Sequence, residues 1–303
     1  MVQGKWLAKL NLRFNPADFA TILYAVITAI WILFFFNKIE DSFEKIIFRS
    51  GVILLIVLIF NIRSSKYNDI LEFVKICYSS LLLFYWYRET ASLNTFIFDP
   101  FDHYLYSIDQ TIFGFQPSVE FSSKCNSPFC SEIMYYGYFS YYFINMLVIL
   151  LYYFKNKASV YKIVFVFIFS FVLYYLIFIL FPSVGPQFYL SYELRSVPQG
   201  FLFQQEIRYL LHSAEVKTGA FPSSHVGMAV IFMILIYKIS KKVFWFVLPI
   251  SLVLMASTVY IKAHYFIDVI GGVLSGILFY YIADYFYPKF VKSRDYLIAK
   301  NII

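Results

Sequence analysis

The sequence predicts an all-α, polytopic membrane protein with about eight transmembrane helices. Three observations carry the prediction. Of 303 residues, 61% are hydrophobic and 14% charged, and the mean hydropathy is +0.69. A soluble fold could not hide that much apolar surface. Apolar runs long enough to cross a bilayer recur near residues 18–36, 46–62, 70–87, 132–154, 160–181, 222–240, 243–261 and 265–287. Basic residues then alternate in density from one connecting segment to the next, as the positive-inside rule requires.

The first run follows a basic stretch, MVQGKWLAKLNLRFNPADF. Trp6, Leu7, Leu10 and Phe14 suit either a short amphipathic helix on the interface or a disordered tail. No small-residue cleavage site follows this run, so no removable signal peptide is expected. The second run is short and carries Arg49 near its start. With the N-terminus on the cytoplasmic side, fifteen lysines and arginines fall in inner segments and nine in the much longer outer ones, while Lys75 lies within a span. Both termini are therefore expected inside. The net charge of +7 reflects basic cytoplasmic loops rather than a nucleic-acid partner.

Two long segments then face outward, 88–131 and 182–221. The first contains FDPFDHYLYSIDQTIFGFQPS. Phe101, Tyr104, Leu105, Ile108 and Ile112 recur at helical spacing and predict a helix on or in the membrane surface, packed against the other helices. Cys125 and Cys130 follow as C-x4-C. Two cysteines are too few for a closed zinc site; a disulfide forms here if the loop faces an oxidising compartment. Cys77, inside an apolar run, reads as packing. The 37 Phe and 28 Tyr fill helix contacts, and tyrosines also suit the headgroup level.

Neither an internal repeat nor a low-complexity linker interrupts the chain. It divides into N-terminal accessory helices (1–95), an outward-facing loop with its interfacial helix (96–130), a five-span core (131–288) and a cytoplasmic tail (289–303). Gly272-x3-Gly276, with Gly271 and Ser275, has the small-x3-small spacing of close helix contact, with homodimerisation as the lesser reading.

Chemistry concentrates in two stretches. In GAFPSSHVGMAV (219–230), Pro222 suits a first helical turn. Ser223, Ser224 and His225 add hydroxyls and an imidazole beside unpaired backbone N–H groups, where an anion binds. In STVYIKAHYFID (257–268), His264 ends a tight turn and Asp268 follows four residues later, on one side of a helix. The carboxylate can accept the proton-bearing ring nitrogen and make the other more nucleophilic. Roughly 20 residues cross the membrane core, so one hairpin returns His225 and His264 to the same face. Taken singly, Asp268 could be a hydrogen bond at a helix start and His225 an interfacial histidine; together with His264 they point to function. Two histidines and a carboxylate could also hold a metal. The serines and the helix N-terminus favour an oxyanion instead, so neither metal nor cofactor is expected.

PSSH at 222–225 and S-x6-H-x3-D at 257–268 resemble the second and third motifs of the type 2 phosphatidic acid phosphatase superfamily, over about 131–288. FDHYLYSIDQTIFGFQPS and FPSVGPQFY further resemble the inositol phosphorylceramide synthase-like branch. The resemblance implies a five-helix phosphatase-type catalytic core. It implies that His264 attacks phosphorus, Asp268 orients it, and His225 protonates the departing alcohol and then deprotonates water or an acceptor alcohol. Ser223 and the N–H groups around Ser224 would hold phosphate oxygens, with Gly185 and Gln187 also at the substrate.

The sequence departs from the family where cations are expected. No lysine–arginine motif precedes Pro182 or Pro186, Gln187 stands where the branch often has arginine after Gly-Pro, and Thr258 replaces the arginine of the third motif. Lys262 could supply one charge; Lys217, Arg195 and Arg208 are weaker candidates. A cation-poor site suits a phosphodiester, with one negative charge, better than a phosphomonoester with nearly two.

The resulting expectation is a membrane lipid phosphatase or phosphotransferase acting on a lipid phosphate or phospholipid. The alternative is transfer of inositol phosphate, or another head-group phosphate, onto ceramide, diacylglycerol or a similar lipid alcohol. A non-catalytic lipid transporter would instead place ionisable groups at mid-membrane on broken helices, and a scaffold would leave the His–His–Asp set unexplained. The absence of an Asn-x-Ser/Thr sequon fits a bacterial inner membrane, with the site facing the periplasm or outside.

Overall fold

The computed structural model describes residues 15–61, 68–156, 159–214 and 216–299. The expected interfacial segment at 6–14 lies outside them. Twelve α-helices and no strand occur among the described residues: α1 Pro16–Phe34, α2 Ser42–Asn61, α3 Asn68–Leu93, α4 Asp102–Phe113, α5 Pro117–Lys124, α6 Pro128–Lys155, α7 Val160–Leu180, α8 Pro186–Tyr189, α9 Phe203–Ala214, α10 Ser224–Ile239, α11 Lys241–Tyr260 and α12 Phe266–Ala299. The protein is thus all-α, as the sequence predicts. Each expected apolar run falls on one helix. Five of these, α1, α6, α7, α11 and α12, are long and apolar enough to cross a membrane. Helix α10 is apolar but has 16 residues. Helices α2 and α3 are long enough but interrupt their apolar surface with Glu44, Lys45 and Arg49, and with Arg88 and Glu89.

The chain forms two compact units. One contains α1–α3, residues 161–172 of α7 and α12 from Tyr281 onward. Helix α1 begins with a capping box: Asn15 accepts from Ala17 N at 3.2 Å and the Asp18 carboxylate accepts from Asn15 N at 2.5 Å, with Pro16 in the first turn. Arg49 is buried. It donates to both oxygens of Glu89, at 2.9 and 2.6 Å, and to the Thr28 hydroxyl at 2.8 Å. A bidentate pair of this kind is how a buried charge becomes tolerable. Around it the rings of Tyr24 and Trp86 meet at 4.6 Å.

The other unit contains 94–160 and 173–280. Glycines set how closely its helices cross. A Cβ on Gly137 of α6 would lie 2.7 Å from Val253 of α11, and one on Gly272 of α12 would lie 2.6 Å from the Ser223 carbonyl at the start of α10. The expected small-x3-small contact is therefore a packing of α12 on α10, with Gly276 set against Gly227. Glu132 of α6 accepts from the N–H groups of Phe201, Leu202 and Phe203 at 2.8, 2.9 and 2.6 Å and so fixes the start of α9. Cys125 and Cys130 form a disulfide between α5 and α6.

Helix α4 forms where the spacing predicts, but of its apolar positions only Leu105 is buried, beside two carboxylates. Tyr104, Ile108 and Ile112 are exposed, while Asp102, Leu105 and Asp109 are buried. The reason lies in the partners of the carboxylates. Asp102 accepts from Val184 N (2.9 Å), Gly185 N (2.8 Å) and Tyr265 Oη (3.1 Å). Asp109 accepts from Phe266 N (2.7 Å) and Ile267 N (3.0 Å). Satisfied carboxylates can be buried, and an exposed apolar face suits a lipid neighbour.

Candidate active site

Three segments of the second unit converge. The first, 182–187, turns at Gly185, whose φ of 84° is a left-handed conformation suited to glycine. Space also demands glycine here, since a Cβ would sit 2.6 Å from the Ala263 carbonyl. Gln187 is half-buried, and its backbone N–H donates to the Lys262 carbonyl at 2.8 Å. The second segment, 218–225, is tied to the first: Ser183 Oγ accepts from Phe221 N at 2.8 Å.

Helix α10 starts at Ser224, two residues later than the sequence suggests, so Pro222 precedes the helix instead of occupying its first turn. Ser223 is the N-cap, its hydroxyl accepting from Val226 N at 3.3 Å, and it is fully buried. The backbone N–H groups of Ser224 and His225, next in line, make no hydrogen bond among the described residues. Such N–H groups at a helix start carry partial positive charge.

The third segment, 257–268, carries His264 and Asp268. His264 Nδ1 lies 2.8 Å from the Ala220 carbonyl and 3.5 Å from Asp268 Oδ2. A carbonyl only accepts, so in the neutral ring Nδ1 is the donor and Nε2 keeps its lone pair. Burial lowers the His264 pKa to about 4, so the ring is neutral at physiological pH. Asp268 has a second task. Its Oδ2 accepts from Tyr265 N at 2.8 Å, which caps α12. Both of its sequence readings, helix-start hydrogen bond and histidine partner, thus coexist in one carboxylate.

His225 and His264 face each other with ring centroids 6.1 Å apart. His225 Nε2 is 3.1 Å from the Tyr138 hydroxyl, and the rings of Tyr138 and Tyr141 flank it at 4.9 and 4.8 Å. Nothing in the sequence marks Tyr138 among 28 tyrosines. Asp102 and Asp109 were more legible, since a seven-residue spacing places both on one helical face.

The expected cations are not gathered around the two imidazoles. Lys262 is buried, but its ammonium group donates to Ser122 Oγ at 2.8 Å and to the Ser196 carbonyl at 2.5 Å. Arg195 donates to the carbonyls of Leu190 and Phe188 at 2.5 and 2.7 Å, and Lys217 and Arg208 are exposed. Thr258 is buried and bonds back to the Met255 carbonyl. Among the described residues no group of three or more His, Cys, Asp and Glu could hold a metal ion.

The arrangement offers an uncharged imidazole with a free ring nitrogen, a second imidazole opposite, and uncommitted backbone donors between helix start and turn. Such a set can make and break a bond to an oxyanion centre. The family comparison agrees in class: the PAP2 superfamily matches residues 105–282, and the chain belongs to that superfamily. The matched region contains both histidines, Asp268 and the 182–187 turn. Membership supports phosphatase or phosphotransferase chemistry on lipid phosphates, in keeping with the membrane-crossing helices. The match reaches the superfamily and does not extend to the inositol phosphorylceramide synthase-like branch. No curated protein and no solved structure matches.

Proposed function

We propose that the protein is a membrane-embedded lipid phosphatase or phosphotransferase that works through a phosphohistidine on His264. The observation that carries the proposal is the pairing of His264 Nδ1 with the Ala220 carbonyl, which leaves Nε2 as the nucleophile opposite His225. In the first step Nε2 attacks phosphorus, a P–N bond forms, and the P–O bond to the lipid alcohol breaks. That alcohol leaves with a proton from His225. In the second step water or an acceptor alcohol gives a proton back to His225 and its oxygen attacks phosphorus, breaking P–N and restoring both imidazoles. Asp268 orients His264. The Ser224 and His225 N–H groups, with Ser223 behind them, stabilise the phosphate oxygens.

A second reading is transfer of a head-group phosphate onto a lipid alcohol. It is favoured by the lack of arginine or lysine at the two imidazoles, since a diester needs less compensating charge than a monoester. In either reading residues 131–288 are the catalytic core and 1–95 accessory. The positive-inside distribution supports a site at the outer face of the membrane, and the absence of an Asn-x-Ser/Thr sequon fits a bacterial inner membrane.

The test uses detergent-purified protein, wild type and His264→Ala, with a panel of lipid phosphates and phosphodiesters. Free phosphate lost in the variant establishes a phosphatase. A new lipid product without free phosphate, also lost in the variant, establishes a transferase. Equal behaviour of the two proteins across the panel sinks the proposal.

A further inference from the structure

Lys262 poses a problem that the histidine chemistry does not solve. The residue is 2% exposed, and the two hydrogen-bond partners of its ammonium group, Ser122 Oγ and the Ser196 carbonyl, are both uncharged. Among the described residues no carboxylate lies within ion-pairing distance of it. A buried cation without a counter-charge is costly, by several kcal/mol on general grounds. An ammonium group also has three donors, and only two are used. The backbone adds to the cost: Lys262 has a φ of 65°, a conformation unusual outside glycine.

Lys262 lines a cleft of about 520 Å³ between α5 and the 193–199 segment, beside its bonded partners Ser122 and Ser196. Ser123, Asn126, Ser196 and Gln199 supply further polar groups around it, and all four are exposed at the rim. The charged groups of the same elements do not neutralise the lysine. Glu193 is an exposed rim carboxylate, Lys124 pairs with Glu120 at 3.0 Å, and Arg195 is held by backbone carbonyls. Solvent weakens the field of an exposed carboxylate far more than that of a buried ammonium.

We infer that this cleft is an anion subsite, separate from the two imidazoles, in which Lys262 binds a phosphate oxyanion carried either by a head group or by free inorganic phosphate. The missing counter-charge of Lys262 is then supplied by the ligand. The cleft volume lies in the range of small-molecule sites and leaves room for more than a bare ion. The inference does not depend on which residue attacks phosphorus, because it concerns binding without turnover.

Calorimetric titration of the full chain in detergent tests it, with inorganic phosphate and glycerol 3-phosphate as probes at low salt. Both probes should bind wild type, and His264→Ala should still bind them. Lys262→Met should weaken binding about thirtyfold, the loss of one charge-assisted contact, while Lys262→Arg stays within several-fold. Glycerol 3-phosphate binding about tenfold tighter than phosphate identifies a head group; equal affinities identify the free ion. Should Lys262→Met fail to fold, Asn126→Asp places a repelling charge on the rim and should weaken both probes about fivefold. No binding to wild type overturns the inference. So does unchanged binding in Lys262→Met or Asn126→Asp, or binding lost in His264→Ala but kept in Lys262→Met.

Discussion

The Ala220 carbonyl lies closer to His264 Nδ1, at 2.8 Å, than the Asp268 carboxylate does, at 3.5 Å. The backbone therefore fixes the imidazole tautomer, and the carboxylate adds orientation and charge. Asp268→Asn should lower kcat by about tenfold to a hundredfold, as for a supporting residue, and His264→Ala by far more. Steady-state kinetics on the two variants decide it. Equal losses would place the tautomer control on Asp268 instead.

Burial sets the pH response of His264. Its reactive form is the neutral ring, and its pKa is lowered to about 4. Protonation removes the Nε2 lone pair only as pH falls through that value. Followed by NMR, the neutral form of the His264 ring should therefore hold steady from about neutral down to about pH 5 and decline below it. A decline centred near about 6.5, where an ordinary histidine titrates, would show that His264 is more hydrated than its 4% exposure implies.

Gly272 controls where α10 begins. A Cβ there would press on the Ser223 carbonyl at 2.6 Å and on Val226 at 2.9 Å. Gly272→Ala should displace the Ser223–His225 turn, cost about 1–3 kcal/mol of stability and lower turnover about tenfold or more. Gly51→Ala is the control, since nothing lies within 4 Å of its Cβ, and helix propensity favours it slightly. Thermal melts and turnover of both variants make the comparison.

In the first unit, Glu89→Gln leaves Arg49 buried without a counter-charge. The expected loss is about 3–5 kcal/mol, read as a lower melting temperature in detergent. The double variant Arg49→Met/Glu89→Met should recover much of it, because apolar packing replaces the pair. A single variant as stable as wild type would mean that water reaches Arg49.

The Cys125–Cys130 bridge predicts one reactive thiol in protein denatured without reductant, that of Cys77, and three after reduction. Maleimide mass-tagging counts them. Cys130→Ser should cost about 2 kcal/mol, the scale for a short loop. Three tags before reduction would argue that this segment faces a reducing compartment.

Much of this architecture was legible in the sequence because bilayer crossing imposes one strong signal, length of apolar run. The histidine pair was legible for a related reason: a hairpin of known rise returns its ends to one face. Other features had no such signal. The buried carboxylates of α4 went unread because apolar periodicity says nothing about carboxylates that find backbone donors far along the chain. Lys262 stood out by its place two residues before His264, but nothing there tells that its ammonium group bonds to Ser122 and Ser196. Tyr138 meets His225 across 87 positions, a distance no local pattern spans.

Asp102 and Asp109 stand seven residues apart on one helix, about 10 Å along its axis. One grips the glycine turn at 184–185, the other the first N–H groups of α12. Helix α4 is thus a strut of fixed length: neither anchor can drift without dragging its counterpart. The spacing between turn and helix start is set by peptide geometry, not by the thickness or fluidity of the surrounding lipid.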